Sequence, residues 1–309
     1  MAPTGVQETS HTYHAEADVL SGHLRLPVKQ EIQTEALVSL NDRRENHFSG
    51  STTKFSLEGL VSFENGYTHV SGSRSLKNNG WVTLATSVIE GLKVLDVVTV
   101  DRVVAQISTE HATVDGHVPQ VTFLGTQIEN LRIGGYPVQV EFDFAICGDK
   151  PAEDQPYTSD PGFLQRLEDR CNGILTAAGL PSSLQDEYDK ELQFLGQLKN
   201  GQVPGIKNKQ QGSPGNGQGN HKRWGEPGWR AADQAPPKVR CSLVKSISST
   251  PVSKTFGNVI EIPGFGIMSL ADLEVSDYFE LAMLNMQMGC IGDGHIKAGN
   301  LKSNGQTAP

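Results

Sequence analysis

Apolar and polar residues alternate most strictly between Val138 and Ile146. Val138, Val140, Phe142, Phe144 and Ile146 fall on one side, and Gln139, Glu141, Asp143 and Ala145 on the other. A period of two puts neighbouring side chains on opposite faces, so the segment predicts a strand with one wet face. It closes a block over 86–146 rich in β-branched residues. Similar patterns predict strands over 23–40, 54–63, 67–73, 81–85, 99–108, 118–123 and 127–133. Pro27 has no backbone donor, which marks an edge or a bend in the first of these. Glu64-Asn65-Gly66, Asn78-Asn79-Gly80 and Gly134-Gly135 predict turns, because Asn and Gly tolerate positive φ. The stretch 87–95 suits a short helix or a strand, and Gly91 weakens both. Trp81 reads as core.

The period changes after Gly148. Asp160 followed by Pro161 is a helix start, with Asp as N-cap and Pro at the first helical position. Phe163, Leu164, Leu167, Cys171, Ile174 and Leu175 follow at helical spacing, and Gly179-Leu180-Pro181 ends the run. A second helix begins at Ser183, with Leu184, Tyr188, Leu192, Leu195 and Leu198 on one face. From 200 to 238 the chain is dominated by Gly, Pro, Gln and Asn, a composition with too little apolar surface to order itself. Strands resume over 241–248, 258–262, 265–275 and 278–288. The last carries Ala282, Leu284, Met286 and Met288 on one face and Leu281 and Met283 on the other, as a central strand does.

These patterns predict a mainly β protein, a sandwich or barrel of about ten strands. Its parts are a polar N-terminal arm (1–22), a first β portion (23–147), an inserted helical hairpin with a flexible low-complexity loop (148–238), a second β portion (239–298) and a polar tail (299–309).

Composition narrows the function classes. Only 37% of residues are apolar, and 33 glycines account for much of the shortfall, as a turn-rich β fold with a polar insertion would have. The net charge of −9 argues against a nucleic-acid partner and against an anionic membrane surface, both of which require a basic face. The first residues show neither a basic nor an apolar signal region, so the chain as written reads as cytoplasmic, with export by another route left open. Cys147, Cys171, Cys241 and Cys290 lie far apart with no CxxC spacing and read as buried free thiols; a Cys147–Cys290 bridge is the pairing left open.

The segments TSVIEGLKVLDVVTVDRVVAQISTEH, VTFLGTQIENLRIGGYPVQVEFD, GNVIEIPGFGIMSLADLEV and LAMLNMQMGCIGDGHIKAG resemble a family of bacterial β-rich proteins of no established function. The resemblance covers about 23–147 and 239–300. More weakly, the chain is similar to the choice-of-anchor class of β-sandwich surface proteins, which carry a signal or sorting tail that is not apparent here. The family has no known catalytic residues, so the resemblance implies none.

Two clusters are candidate sites. Glu110-His111, Asp115 and His117 bracket a turn between strands; two imidazoles and two carboxylates could hold a divalent metal, and the bland alternative is a polar hairpin tip. His221-Lys222-Arg223-Trp224 with Trp229-Arg230 could stack on sugars or bases, or dock on a partner; alternatively the two rings pin the insertion to the domain. Asn216-Gly217-Gln218-Gly219 lacks the strand and helix a phosphate cradle needs. Glu141 and Asp143 read as a solvated strand face. The leading functional expectation is a non-catalytic binding or structural β module, self-assembling or binding protein or carbohydrate. The alternatives are an enzyme on a β scaffold, metal-dependent through His111, Asp115 and His117, and a carrier of a small apolar ligand.

Overall fold

The structure is a computed structural model that describes residues 11–26, 29–77, 79–114, 116–202, 237–289 and 293–304. In chain order the first strands are β1 (Tyr13–Leu26), β2 (Gln30–Glu35), β3 (Val38–Asp42), β4 (Asn46–Leu57), β5 (Val61–Arg74), β6 (Trp81–Val94) and β7 (Val98–His111). Short strands follow: β8 (Gln120–Thr122), β9 (Gln127–Glu129), β10 (Arg132–Ile133), β11 (Tyr136–Pro137) and β12 (Val140–Phe142). Two helices come next, α1 (Pro161–Leu175) and α2 (Ser182–Lys199). The chain ends in β13 (Val239–Ser242), β14 (Val244–Ile247), β15 (Lys254–Phe256), β16 (Val259–Ile262), β17 (Gly266–Val275), β18 (Tyr278–Met288) and β19 (Asp293–Asn304).

These strands build two antiparallel sheets. One has nine strands along the order β15-β16-β17-β18-β19-β1-β2, with β13 also on β17 and β3 also on β1. The other has eight, along β11-β10-β7-β6-β5-β4, with β8 and β9 also on β7. Neither closes into a barrel, and β12 pairs separately with β14. The sheets face each other as a sandwich. Val19, Leu20, Ile296 and Ala298 from one and Val70, Ala85, Ile89, Val103 and Ile107 from the other are buried in one core. Each Val, Leu or Ile among them contributes on the order of 1.5–3 kcal/mol by leaving water.

In both sheets the alternation shifts phase along a row. In the nine-stranded sheet the row is Ala271, Met283, Gly299 and Val19, which the pairing skips in all four strands. Ala271 has φ 49° and Gly299 φ 66°, a left-handed conformation that turns the strand over while the register across the row stays unchanged. Two consecutive residues then face the core, as Val19 and Leu20 or Met283 and Leu284 do. The eight-stranded sheet has a matching row at Lys54, Glu64, Gly91 and Asp101, with Lys54 at φ 55° and Gly91 at φ 68°.

The helical hairpin forms where the spacing predicts. The Asp160 carboxylate accepts from the Phe163 backbone N–H at 2.6 Å and caps α1. Arg166 donates to the Ile146 and Cys147 carbonyls, both at 2.8 Å. Arg170 donates to the carbonyls of Ser242 and Val244 and to Asp143 Oδ2. Leu184 packs with Phe256 and Val259, so the hairpin rests on the β15–β16 side of the nine-stranded sheet.

Several local expectations are corrected. Residues 13–22 belong to β1, an interior strand, rather than to a loose arm. Residues 299–304 likewise belong to β19 rather than to a tail. Glu64-Asn65-Gly66 is not a turn but the middle of β5. Gly66 serves close packing there: a Cβ would fall 2.6 Å from Val19 Cγ1. The turn lies instead at Glu58-Gly59, both at positive φ. The stretch 87–94 is strand, with Gly91 in the skipped row, and Leu95 begins the turn that follows. The strictly alternating segment 138–146 yields only the three residues of β12, although Val138 and Ile146 are buried. The turns at Asn79-Gly80 and Gly134-Gly135 do form.

Candidate functional site

The phase shift exposes a polar floor on the outer face of the nine-stranded sheet. Two adjacent rows run across β17, β18, β19 and β1: Ser269, Asn285, Lys297 and Ser21, then Asp272, Ala282, Asn300 and Asp18. In each strand these positions are three residues apart. In a regular strand such residues point to opposite faces, so without the skipped row Asp272, Asn300 and Asp18 would point into the core. Gln287 and His295 continue the floor on one side.

Hydrogen bonds tie the floor together. Asp272 Oδ1 accepts from Asn258 Nδ2 at 2.8 Å. Its Oδ2 accepts from Asn285 Nδ2 at 3.0 Å and from the Ser269 hydroxyl. Asn285 Oδ1 accepts from His295 Nε2 at 2.6 Å. Asn300 Nδ2 donates to Asp18 Oδ1 at 2.7 Å and to Ser21 Oγ at 3.3 Å. Asn300 Oδ1 is buried and has no hydrogen-bond partner among the described residues.

Electrostatics follow from this burial. Loss of water raises the Asp18 carboxyl to about 6, against the opposing pull of Asn300, Ser21 and Lys297. Burial also raises Asp272, opposed by its donors from Ser269, Asn285 and Asn258. Burial and the neighbouring Lys297 hold His295 below its ordinary value.

Above the floor stands the hairpin. Together they enclose a cavity of about 1000 Å³ whose wall includes Leu167, Ile174, Leu184 and Tyr188. Acids lining it (Asp18, Glu187, Glu191, Asp272, Glu274 and Glu280) outnumber bases (Arg170, Arg240, Lys245 and Lys297). Three of those bases are engaged. Arg170 meets Asp143, Lys245 meets Glu141, and Arg240 lies 3.7 Å from Glu187. Three of the acids are engaged as well: Glu187 with Arg240, Glu274 with Lys238, and Glu280 with Lys302 at 3.3 Å, which leaves Asp18, Glu191 and Asp272 beside Lys297. Its serines and side-chain amides offer both donors and acceptors to hydroxyl groups.

Of the sequence-predicted residues, His111 and His117 are described, and neither lines this cavity. His111 is fully buried, and its Nδ1 donates to the Gly116 carbonyl at 2.6 Å. Its Nε2 has no partner among the described residues. Its ring centroid lies 4.8 Å from that of His11, which stacks on Trp81 at 5.1 Å. Burial lowers His11 to about 3 and His111 to about 4. Glu110 accepts from the Ser75 hydroxyl. The backbone N–H of His117 donates to Asp154. Asp115, Arg223, Trp224, Trp229 and Arg230 lie outside the described residues, as does Cys290. Among the described residues no three His, Cys, Asp or Glu side chains are grouped to hold a metal. Cys147, Cys171 and Cys241 are free thiols, and burial raises Cys147 to about 12.

Sequence reasoning missed the floor. The available signal was the doubling of apolar residues in mid-strand, at Val19-Leu20, Leu270-Ala271 and Met283-Leu284. Each doubling marks where a strand changes phase.

The architecture is an antiparallel two-sheet β-sandwich carrying a helical hairpin over a polar groove. The chain belongs to a family described as a domain of unknown function (DUF8256), whose sequence pattern matches residues 11–276. No curated protein and no solved structure matches the chain. No described helix is long and apolar enough to cross a membrane.

Proposed function

We propose that this protein is a non-catalytic β binding module that holds a small, neutral, hydroxyl-rich ligand, such as a saccharide unit, between the helical hairpin and the nine-stranded sheet. The observation that carries this reading is the pair of rows containing Ser269, Asn285, Ser21 and Asn300 at the bottom of a cavity of about 1000 Å³. A cavity of that size fits a small ligand, and Tyr188 with Leu184 and Ile174 supplies apolar surface for the C–H face of a sugar ring. The acid excess argues for a neutral ligand over a phosphorylated one. Both oxygens of Asp272 accept hydrogen bonds within the chain, which suits a scaffold group better than a catalytic base.

Titration calorimetry with a panel of neutral mono- and oligosaccharides tests it. At least one is expected to bind the native chain, with affinity at least tenfold weaker in Asn300→Leu. Absence of binding across the panel, or equal affinity in the variant, contradicts it.

A further inference from the structure

The sheet edges of this sandwich are unequal. β15 has three residues, β11 has two with Pro137 among them, and β2 has six including Glu31 and Glu35. Short length, proline and charge are the usual means of keeping a strand edge from pairing. β4 has little of this protection. It runs twelve residues from Asn46 to Leu57, carries no proline and a single charge at Lys54, and pairs with β5 as the outermost strand of the eight-stranded sheet.

Phe48 on this strand is out of place. It pairs with Val70, whose side chain is completely buried, so its ring lies on the core side of the sheet. Yet Phe48 is 43% exposed. The core layer thus ends at this edge with an incompletely covered aromatic ring.

We infer that two copies of the chain pair antiparallel through β4, joining their eight-stranded sheets into one continuous sheet across a twofold axis. Symmetry favours a second copy as the occupant. An antiparallel strand pair about a twofold is self-complementary, so each copy supplies what the other needs. The whole chain carries −9, but β4 itself contains no acid, and Glu35, which accepts from Thr52 at 3.0 Å, is an acid lying on it. An axis through Ser49 sets Phe48 of each copy opposite Gly50 of the other, beside Ala36 and Val38, which already fill the space over that glycine within their own chain. On the other face that register brings His47 against Ser51, both small or neutral.

The test is the mass of the native chain by light scattering across the micromolar range, together with amide hydrogen exchange along β4. The native chain is expected at twice its 33.4 kDa, with slow exchange at alternate β4 amides that face away from β5. Ser49→Lys/Ser51→Lys places like charges across the axis on exposed positions. It is expected to weaken the dimer at least tenfold and to leave the circular dichroism spectrum unchanged. Thr86→Lys, on the outer face of β6, is the control expected to remain dimeric. A native chain that stays monomeric, fast exchange at the outward β4 amides, or a double variant as dimeric as the native chain would overturn the inference.

Discussion

Asn285 donates its side-chain amide proton to Asp272 Oδ2 at 3.0 Å across the β17–β18 pair. The contact exists because Ser269, Asn285 and Asp272 share the outer face, and they share it because the sheet changes phase between Ser269 and Asp272. Asn285 also accepts from His295, so it links three strands. Asn285→Leu is therefore expected to cost about 1–3 kcal/mol, since it leaves two partly buried groups short of a partner. Urea unfolding measures this, and a loss below a few tenths of a kcal/mol would show that the network is not under tension from burial.

Asp18 makes stability depend on pH in an unusual direction. Its carboxyl is raised to about 6 from 3.8, so ionising it is harder in the fold than in the unfolded chain. Its contribution is full below pH 3.8 and is lost as pH rises through 6. Asp18→Asn removes that loss. The variant is expected to match the native chain near pH 4 and to exceed it by on the order of 1–2 kcal/mol near pH 7.5. A stability difference that does not change with pH would contradict the assignment.

His11 and His111 act in the opposite sense. Burial lowers them to about 3 and about 4, so the unfolded chain takes up protons that the fold refuses. Their contribution is complete above pH 6.5 and is lost as pH falls toward 4. Each would approach about 1.4 kcal/mol per pH unit in that window. His11→Phe keeps an aromatic ring on Trp81 without the titration. Thermal unfolding of this variant, in an Asp18→Asn background that removes the opposing slope, is expected to fall less steeply between pH 6.5 and 4. Identical slopes would rule out His11 as a source.

The skipped row yields a graded prediction. Gly299 has φ 66°, and a Cβ there would lie 3.2 Å from Met283 Cβ. Gly299→Ala combines left-handed strain with crowding and is expected to cost about 1–3 kcal/mol. Gly59 has a similar φ of 70° with nothing within 4 Å, so Gly59→Ala should cost less. Gly173 sits inside α1 with open space around it, and Gly173→Ala should stabilise by about 0.5–1 kcal/mol. Chemical denaturation ranks the three, and any other order would argue against the strain.

The elements that sequence revealed are those set by local chemistry. The hairpin was readable because Asp160-Pro161 caps a helix whatever surrounds it, and the antiparallel strands because their alternation is local. What escaped reading depends on contacts distant in sequence. Gly66 reads as a turn residue, and only its closeness to Val19 shows that it admits a facing sheet. Alternation over 138–146 satisfies a strand pattern, but among the described residues β14 pairs with the three residues of β12 alone. The candidate site was hidden for the same reason. Asp18 and Asn300 lie at opposite ends of the chain and meet only when β1 pairs with β19. Their outward direction depends on a phase shift that a strict period-two reading skips.

The central claim is that the floor beneath the helical hairpin binds a neutral hydroxylated ligand. Saturation-transfer NMR on the native chain with neutral saccharides, repeated on Asn300→Leu, tests it most directly. The account predicts transfer to ring C–H protons of a saccharide in the native chain and its loss in the variant. Transfer of equal strength in both proteins, or transfer to none of the saccharides, would contradict it.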